Sequence, residues 1–329
     1  MRDPRLSGSA KRAILPTMKA LLETLVAGAR EAAEAGRPAS YIPALASADP
    51  RAVGLAIAFA DGSMEEAGDS RAPFTLQSVS KALALCYVLE TRGEEAVFSR
   101  VGKEPTGDPF NSIIRLETSS RKKPFNPMIN AGAIVVTSLM PGESGEEKIG
   151  LFSAFAARAL GSGLPRMDEG VYRSEAETAS RNRAIAWFLE ELKLLDTPVD
   201  IALDAYFRQC AILVDAVSLA RFGCCLARDG LLPGGDERVF SAKAARLTKS
   251  LMLGCGLYDG SGEFCAAAGI PAKSGVGGGI VACARNAAAP MGQALGIGAY
   301  GPALDERGNS IAAQLMIQDL SDRLDLFAF

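Results

Sequence analysis

The sequence predicts a mixed α/β fold of the α+β kind, an antiparallel sheet built from the N- and C-terminal segments plus a helical lobe inserted between them. Three observations predict it. Strand-and-turn patterning occupies residues 53–70 and returns over 272–300, helical patterning fills most of the interval, and no internal repeat or low-complexity linker divides the 329 residues. A chain of this length buries a large core, as one domain or as two intimate lobes.

Residues 1–15 carry Arg2, Asp3, Arg5, Lys11 and Arg12 without an apolar core before a cleavage site, and are expected to form a flexible N-terminal arm. From Thr17 to Ala35, Leu21, Leu22, Leu25, Val26, Ala29, Ala32 and Ala33 recur at helical spacing, and Gly36-Arg37-Pro38 ends the run. Val53–Ala60 is a strand, Asp61-Gly62 a hairpin turn, and a returning strand leads toward Phe74-Thr75-Leu76. A helix then opens near Ser78 and runs on through the apolar stretch Ala82–Leu89.

Gly102–Ser112 is dense in turn formers, and a loop of that length inside a compact domain is more often functional than idle. Pro127–Val136 reads as buried. Glu147–Leu160 is a helix closed by Gly161-Ser162-Gly163, and a second begins near Ser174 with Ala184, Ile185, Trp187, Phe188 and Leu189 inward. Ala202–Leu226 and Ala242–Met252 continue the helical middle, and Leu253–Gly262 is a second loop rich in small residues. Ala272–Ala282 reads as one strand with a glycine platform, Ala294–Tyr300 as another, and Ser310 to about Asp322 as a closing helix. The last strands should pair with the 53–70 hairpin. This gives one domain over 16–329, with a sheet lobe of about 16–75 and 265–329 and a helical lobe of about 76–264.

Composition narrows the chemistry. A net charge of −3 and pI near 5.4 offer neither a basic stripe for nucleic acid nor a polybasic membrane anchor, so a small-molecule partner is the default. No apolar run reaches the roughly 18 residues of a membrane span. The chain has no histidine, which excludes a Ser-His-Asp triad, a Cys-His dyad and any His-ligated metal. Acid and base work near neutral pH then falls to a perturbed Lys, Tyr, Cys or carboxylate, with lysine leading. The seven cysteines, Cys86, Cys210, Cys224, Cys225, Cys255, Cys265 and Cys283, lack paired C-x-x-C spacing and read as buried thiols of a reducing, cytoplasmic setting. No metal or cofactor is called for.

Ser78 and Lys81 stand three apart at a helix start, where hydroxyl and amine share a face and the first N–H groups suit an oxyanion. The spacing also occurs at Ser119–Lys122 and Ser120–Lys123, in a polar, Pro-flanked stretch. Position sets Ser78 apart, although an ordinary capping serine followed by a solvated lysine gives the same pattern. Asn130 is either a satisfied structural amide or one aimed at ligand. Glu175, taken alone, is first-turn compensation of a helix dipole.

Lys273-Ser274-Gly275 on a late strand completes a second motif, and the pair is similar to the penicillin-recognising serine hydrolases. In such a site Lys81 acts as a base only if its pKa falls from about 10.4 toward neutrality, about 4 kcal/mol against the charged form. Desolvation and a nearby Lys273 ammonium supply that push. Tyr258 or Tyr41 would relay protons, and the N–H groups of Ser78 and Val276 would hold the oxyanion. A phosphate cradle is disfavoured at the glycine platform, since no Gly-Lys-[Ser/Thr] ending follows it and no helix opens after it.

Taken together the motifs are closer to one family. The chain resembles the serine-dependent, β-lactamase-like glutaminases. The shared stretches are Tyr41-Ile42-Pro43, Gln77–Lys81, Gly102–Ser112, Asn126–Ile134, Ser174-Glu175 with Arg181–Ala184, Tyr206–Cys210, Gly256–Gly262, Lys273–Ile280, and Asp305 with Gly308-Asn309-Ser310. They run in order from about residue 20 to the end.

The resemblance implies hydrolysis of L-glutamine to L-glutamate and ammonia through a γ-glutamyl-serine ester. It further implies Ser78 as nucleophile, Lys81 as base and Tyr258 as a catalytic partner, with Lys273 in support. Tyr41, Asn130, Glu175, Asn182, Tyr206, Tyr258 and Val276 would surround the substrate, and a homodimer or homotetramer is expected. Glu175 then meets the substrate ammonium, reversing its bland reading. Two departures stand out, Phe125 in place of a smaller or more polar residue and a longer Arg285–Gln293 connection. The rival readings are another Ser-x-x-Lys acyl hydrolase, a β-lactamase or D-alanyl peptidase, and a non-catalytic amino-acid-binding module. Against the first, the chain has no Ser-Asp-Asn triplet.

Overall fold

The computed structural model describes residues 10–107, 111–118, 122–285 and 294–326. The start of the expected arm, the middle of the Gly102–Ser112 loop, Ser119 and Ser120, and most of the Arg285–Gln293 connection lie outside the described residues.

The order is α1 (Ala10–Ala33), β1 (Gly54–Phe59), β2 (Met64–Gly68), β3 (Phe74–Thr75), α2 (Ser80–Phe98), α3 (Ile114–Thr118), α4 (Asn130–Ser138) and α5 (Gly145–Leu160). Next come α6 (Glu169–Thr178), α7 (Ser180–Glu191), α8 (Val199–Cys210), β4 (Leu213–Val214), α9 (Ala216–Ala227) and α10 (Ala242–Cys255). The chain closes with α11 (Ser261–Ala268), β5 (Ala272–Ser274), β6 (Gly279–Arg285), β7 (Ala294–Tyr300) and α12 (Ile311–Leu324).

The main sheet is five-stranded, in the order β2-β1-β7-β6-β5, and antiparallel at every pairing. The terminal halves of the chain therefore do meet, with Ile57 opposite Ile297 at the β1–β7 seam. β1 and β7 are buried at every position, which explains their unbroken apolar sequence in place of alternation. One face packs on α1, α11 and α12 through Leu22, Leu25, Phe264, Met316 and Leu320. The other packs on α9 and the helical lobe through Leu219, Phe222, Leu83 and Phe152. Contact between α9 and the sheet is nearly backbone to backbone, because a Cβ on Gly296 or Gly298 would strike the main chain of α9.

Local signals set the helix ends. Ser144 caps α5 by accepting from the Glu147 N–H at 3.1 Å, and Gly161, at φ +63°, closes it. Asp215 and Ser310 cap α9 and α12 in the same way.

Several expectations need correction. α1 starts ahead of Thr17, at Ala10, because the apolar spacing that marks the helix begins later than the helix does. The strand returning toward Phe74 is two strands. β2 pairs with β1, whereas β3 pairs with β4 in a small separate sheet, and Phe74 stacks on Tyr300 of β7 with ring centroids 4.3 Å apart. Residues 202–226 hold two helices, interrupted by β4 and restarted at the Asp215 cap. Trp187 is 60 % exposed, since the inward stripe of α7 is Ile185, Ala186 and Leu189. Residues 272–282 form a hairpin, turned at Gly278 with φ +95°. The small-residue loop at 253–262 is largely the end of α10, a 3₁₀ turn at Tyr258–Gly260 and the start of α11. Among the described residues no helix is long and apolar enough to cross a membrane.

Candidate active site

Ser78 lies where β3 gives way to a 3₁₀ turn, Gln77–Val79, that opens α2. The Leu76 N–H bonds to the Ile212 carbonyl at 2.8 Å, and Gln77 takes the left-handed value φ +46°. Such a value in a non-glycine residue costs about 1–3 kcal/mol and persists only where surrounding packing enforces it. Tyr258 is held at φ +54°. The two strained residues meet at Ser78, for the Tyr258 hydroxyl is hydrogen-bonded to Ser78 and donates toward the Ser274 carbonyl at 3.5 Å.

The β5 end of the hairpin closes onto the same turn. A Cβ on Gly275 would come to 3.1 Å from the Ser78 nitrogen, so only glycine lets the strand approach. Val276, just beyond, and Ser78 line a common cavity of about 90 Å³ together with Tyr41, Asn130, Glu175, Asn182, Tyr206 and Cys210. Every substrate-binding residue expected from the sequence is thus in that lining or, in the case of Tyr258, bonded to it.

Lys81 is buried behind the lining, 1 % exposed. Its Nζ donates to Asn130 Oδ1 at 2.7 Å and to the Met128 carbonyl at 3.3 Å. Desolvation lowers its pKa to about 8, against a smaller upward pull from Cys210 and Glu175. Two acceptors use the two hydrogens of a neutral amine, which leaves its lone pair available to a proton. Lys273 is not in the lining. It lies 4.6 Å from the Tyr258 ring centroid and donates to the Gly256 and Ser274 carbonyls at 2.8 and 2.6 Å. Burial, and then the like charge of Lys81, push its pKa well down.

Asn130 also donates to Asn182 Oδ1 at 2.9 Å, and its oxygen accepts from the Tyr206 hydroxyl at 3.4 Å. The N-termini of α4 and α7 and the C-terminal half of α8 are therefore joined by two side-chain amides and a phenol. Glu175, from α6, is 7 % exposed, and burial raises its pKa to about 7 despite hydrogen bonds from Gln77 and Cys210 and the charge of Lys81. Its Oε2 is buried with no hydrogen-bond partner. A buried carboxylate oxygen left unpaired inside a cavity calls for a cationic ligand group. Tyr41 stands at the mouth, 56 % exposed.

Sequence reasoning gave no role to Gln77 and Cys210, both of which hold Glu175. Cys210 had a usable signal, since it lies one helical turn from Tyr206 on the same face of α8. Asn111 and Arg181, which lie in the shared stretches Gly102–Ser112 and Arg181–Ala184 without a role assigned to them, also line the cavity, as does Thr178, for which the pattern holds no signal. Among the described residues no cluster of Cys, Asp and Glu could hold a metal ion.

The sequence model of the Glutaminase family matches residues 36–329. The chain belongs to the glutaminase family. Glutaminase 2 of Clostridium perfringens (strain 13 / Type A) is 47 % identical over 312 residues, covering 95 % of this chain and 100 % of that one. A glutaminase of Clostridium botulinum (strain Kyoto / Type A2) is 44 % identical with the same coverage. The crystal structure of a probable glutaminase from Bacillus subtilis superposes with a TM-score of 0.89 at 41 % identity, covering 95 % of this chain and 98 % of that one. A probable glutaminase from Bacillus subtilis complexed with 6-diazo-5-oxo-L-norleucine gives 0.87 at 39 % identity, covering 94 % and 97 %. The fold is accordingly that of the β-lactamase-like glutaminases, and the penicillin-hydrolase and binding-module alternatives give way to it.

Proposed function

We propose that this chain hydrolyses L-glutamine to L-glutamate and ammonia through a γ-glutamyl-Ser78 ester. The observation that carries the reading is the unpartnered Oε2 of buried Glu175 in the same cavity as Ser78. Free glutamine brings an α-ammonium that needs one anion and an α-carboxylate that needs donors, here Asn130, Asn182 and the Tyr206 hydroxyl. The names of the relatives agree, as does the glutamine-like analogue bound in the Bacillus subtilis complex.

In this mechanism Lys81, neutral in part near its pKa of about 8, receives the Ser78 proton. The Ser78 oxygen attacks the γ-carbonyl carbon. The N–H groups of Ser78 and Val276 hold the oxyanion, a contribution of about 2.7–4 kcal/mol per donor in other hydrolases. The γ C–N bond breaks, and ammonia leaves with a proton passed through Lys81 or Tyr258. Water then repeats the sequence on the ester and releases glutamate. Lys273 supports the ring of Tyr258 from behind.

The setting proposed is the cytoplasm, supported by buried thiols such as Cys86, Cys225 and Cys283. The assembly proposed is a homodimer or homotetramer, which light scattering reads directly.

Intact-mass spectrometry after treatment with 6-diazo-5-oxo-L-norleucine tests the mechanism. One adduct on Ser78 is expected, absent in Ser78→Ala and strongly slowed in Lys81→Ala. Labelling of a cysteine instead, Cys210 above all, would refute it.

A further inference from the structure

A second cavity, of about 370 Å³, adjoins the first and shares Tyr41, Asn111 and Val276 with it. Its outer wall comes from Arg37–Ser40 and from the turn at Leu304–Gly308. The fold ties these two segments together, the Arg37 N–H donating to the Leu304 carbonyl at 3.3 Å and the Leu304 N–H to the Arg37 carbonyl at 2.9 Å. Gly308 sits at φ +87°, and a Cβ there would lie 3.4 Å from Val276 Cγ1 and 3.8 Å from the Tyr258 ring. The turn therefore packs against the reaction centre itself. Ala39, Ile42, Tyr258, Val276 and Leu304 form one apolar cluster beneath it.

The charges of this cavity divide into committed and free. Arg307 is engaged by Glu263 at 3.1 Å. Asp305 accepts from the N–H groups of Arg307 and Asn309 at 2.9 Å each, and from Gln314 at 3.0 Å. Among the described residues, the exposed side chains of Arg37 and Glu306 have no such partner. A guanidinium without a side-chain partner among the described residues suits the carboxylate of an amino acid whose nitrogen is held in the γ-amide, and the Glu306 carboxylate suits the ammonium that forms only once the C–N bond has broken. Ser78 and Val276 line the first cavity and Val276 lines the second as well, so a ligand joined at a γ-amide nitrogen would span both cavities.

We propose that the second cavity receives the amine half of glutamine derivatives substituted on the amide nitrogen, γ-glutamyl amino acids foremost, so that the chain cleaves γ-glutamyl isopeptides as well as the primary amide. This rests on the acyl-transfer reading of Ser78. The Ser78 oxygen bonds to the γ-carbonyl carbon and its proton passes to Lys81. The γ C–N bond breaks, and the departing amino acid carries that proton away on its nitrogen. Water hydrolyses the ester and restores the Ser78 hydroxyl, with glutamate and a free amino acid as products.

The test compares kcat/KM for glutamine, N5-ethylglutamine and γ-glutamylglycine in the purified chain, in Arg37→Ala and in Arg37→Lys. All three substrates are expected to be cleaved. The γ-glutamylglycine to glutamine ratio should fall about tenfold in Arg37→Ala, the scale of one charge-assisted contact, and less in Arg37→Lys. The N5-ethylglutamine to glutamine ratio should hold steady, because that substrate has no carboxylate for Arg37. Turnover of glutamine with neither substituted amide cleaved would overturn the proposal and leave the acyl-transfer reading standing. An unmoved γ-glutamylglycine ratio in Arg37→Ala would also overturn it. Inactivity of the unmodified chain on all three would sink both readings together.

Discussion

Lys81 Nζ donates to Asn130 Oδ1, a neutral amide oxygen, at 2.7 Å, and Cys210 and Glu175 restore only part of the charge that burial removes. Asn130→Asp would place a carboxylate in that position. An opposite charge at such a distance raises a lysine pKa, so the acid limb of the kcat/KM profile should move to higher pH by roughly one unit or more. A pH profile superposable on the original would break the link between Asn130 and the base.

Activity should climb through the interval from about pH 7 to about pH 8, since Glu175 at about 7 must be ionised and Lys81 at about 8 must be neutral. The two titrate as a coupled pair, so the macroscopic values belong to both. A rate that is flat across this interval, measured as kcat/KM for glutamine, contradicts the assignment.

Stability should respond to the same groups with opposite signs. Burial raises the Glu175 carboxyl from 4.5 to about 7, so its contribution is full below 4.5 and is lost as pH rises to about 7. Burial lowers Lys81 from 10.5 to about 8, so its contribution is full above 10.5 and is lost as pH falls to about 8. Glu175→Gln removes a desolvated charge. It should stabilise the free chain near pH 8, by up to roughly 3 kcal/mol, while raising KM for glutamine at least about a hundredfold. Urea unfolding and steady-state kinetics of one variant decide both points, and a variant that binds glutamine normally would remove Glu175 from the ammonium site.

Tyr258→Phe deletes the hydroxyl bonded to Ser78 and keeps the ring over Lys273. It should lower kcat by roughly a hundredfold or more with little change in unfolding midpoint. Lys273→Met should do the reverse in part, costing about 0.5–1.5 kcal/mol for each hydrogen bond lost, since the Ser274 N–H still serves the Gly256 carbonyl and the Tyr258 hydroxyl the Ser274 carbonyl. If Tyr258→Phe retained full kcat, the hydroxyl would have no part in proton transfer.

Gly298→Ala tests the backbone contact between β7 and α9, where the new Cβ would meet the Ala216 carbonyl. A loss of at least about 2 kcal/mol in urea unfolding is expected. Gly254→Ala is the control. Nothing lies within 4 Å of its Cβ position on α10, and helix propensity alone should add about 0.5–1 kcal/mol.

Much of this arrangement was legible in the residues. The turn at Asp61-Gly62, the strand at Ala294–Tyr300, and the placing of Ser78 ahead of an apolar run all follow from local chemistry, and the structure keeps them. Helical continuity over 202–226 misled because β4 is only Leu213–Val214, too short to impose a period of its own. The hairpin at 272–285 reads as one strand because its turn residues, Gly275 to Gly278, are the same small residues that a tightly packed strand uses. Trp187 looked inward because its apolar ring implies burial, whereas only geometry reveals which side of α7 meets α8. Gln77 escaped notice for a related reason, since its φ of +46° and its bond to Glu175 arise only when distant segments meet.

The seam between β1 and β7 joins residues 54–59 to residues 295–300. During synthesis the β1–β2 hairpin must wait with one flank of hydrogen-bonding groups bare until residues 294–300 have left the ribosome. Such a flank is sticky toward other nascent strands, and long-range pairing is slow. The interval between the emergence of that hairpin and of its distant mate is therefore the window in which this fold is exposed to wrong pairing.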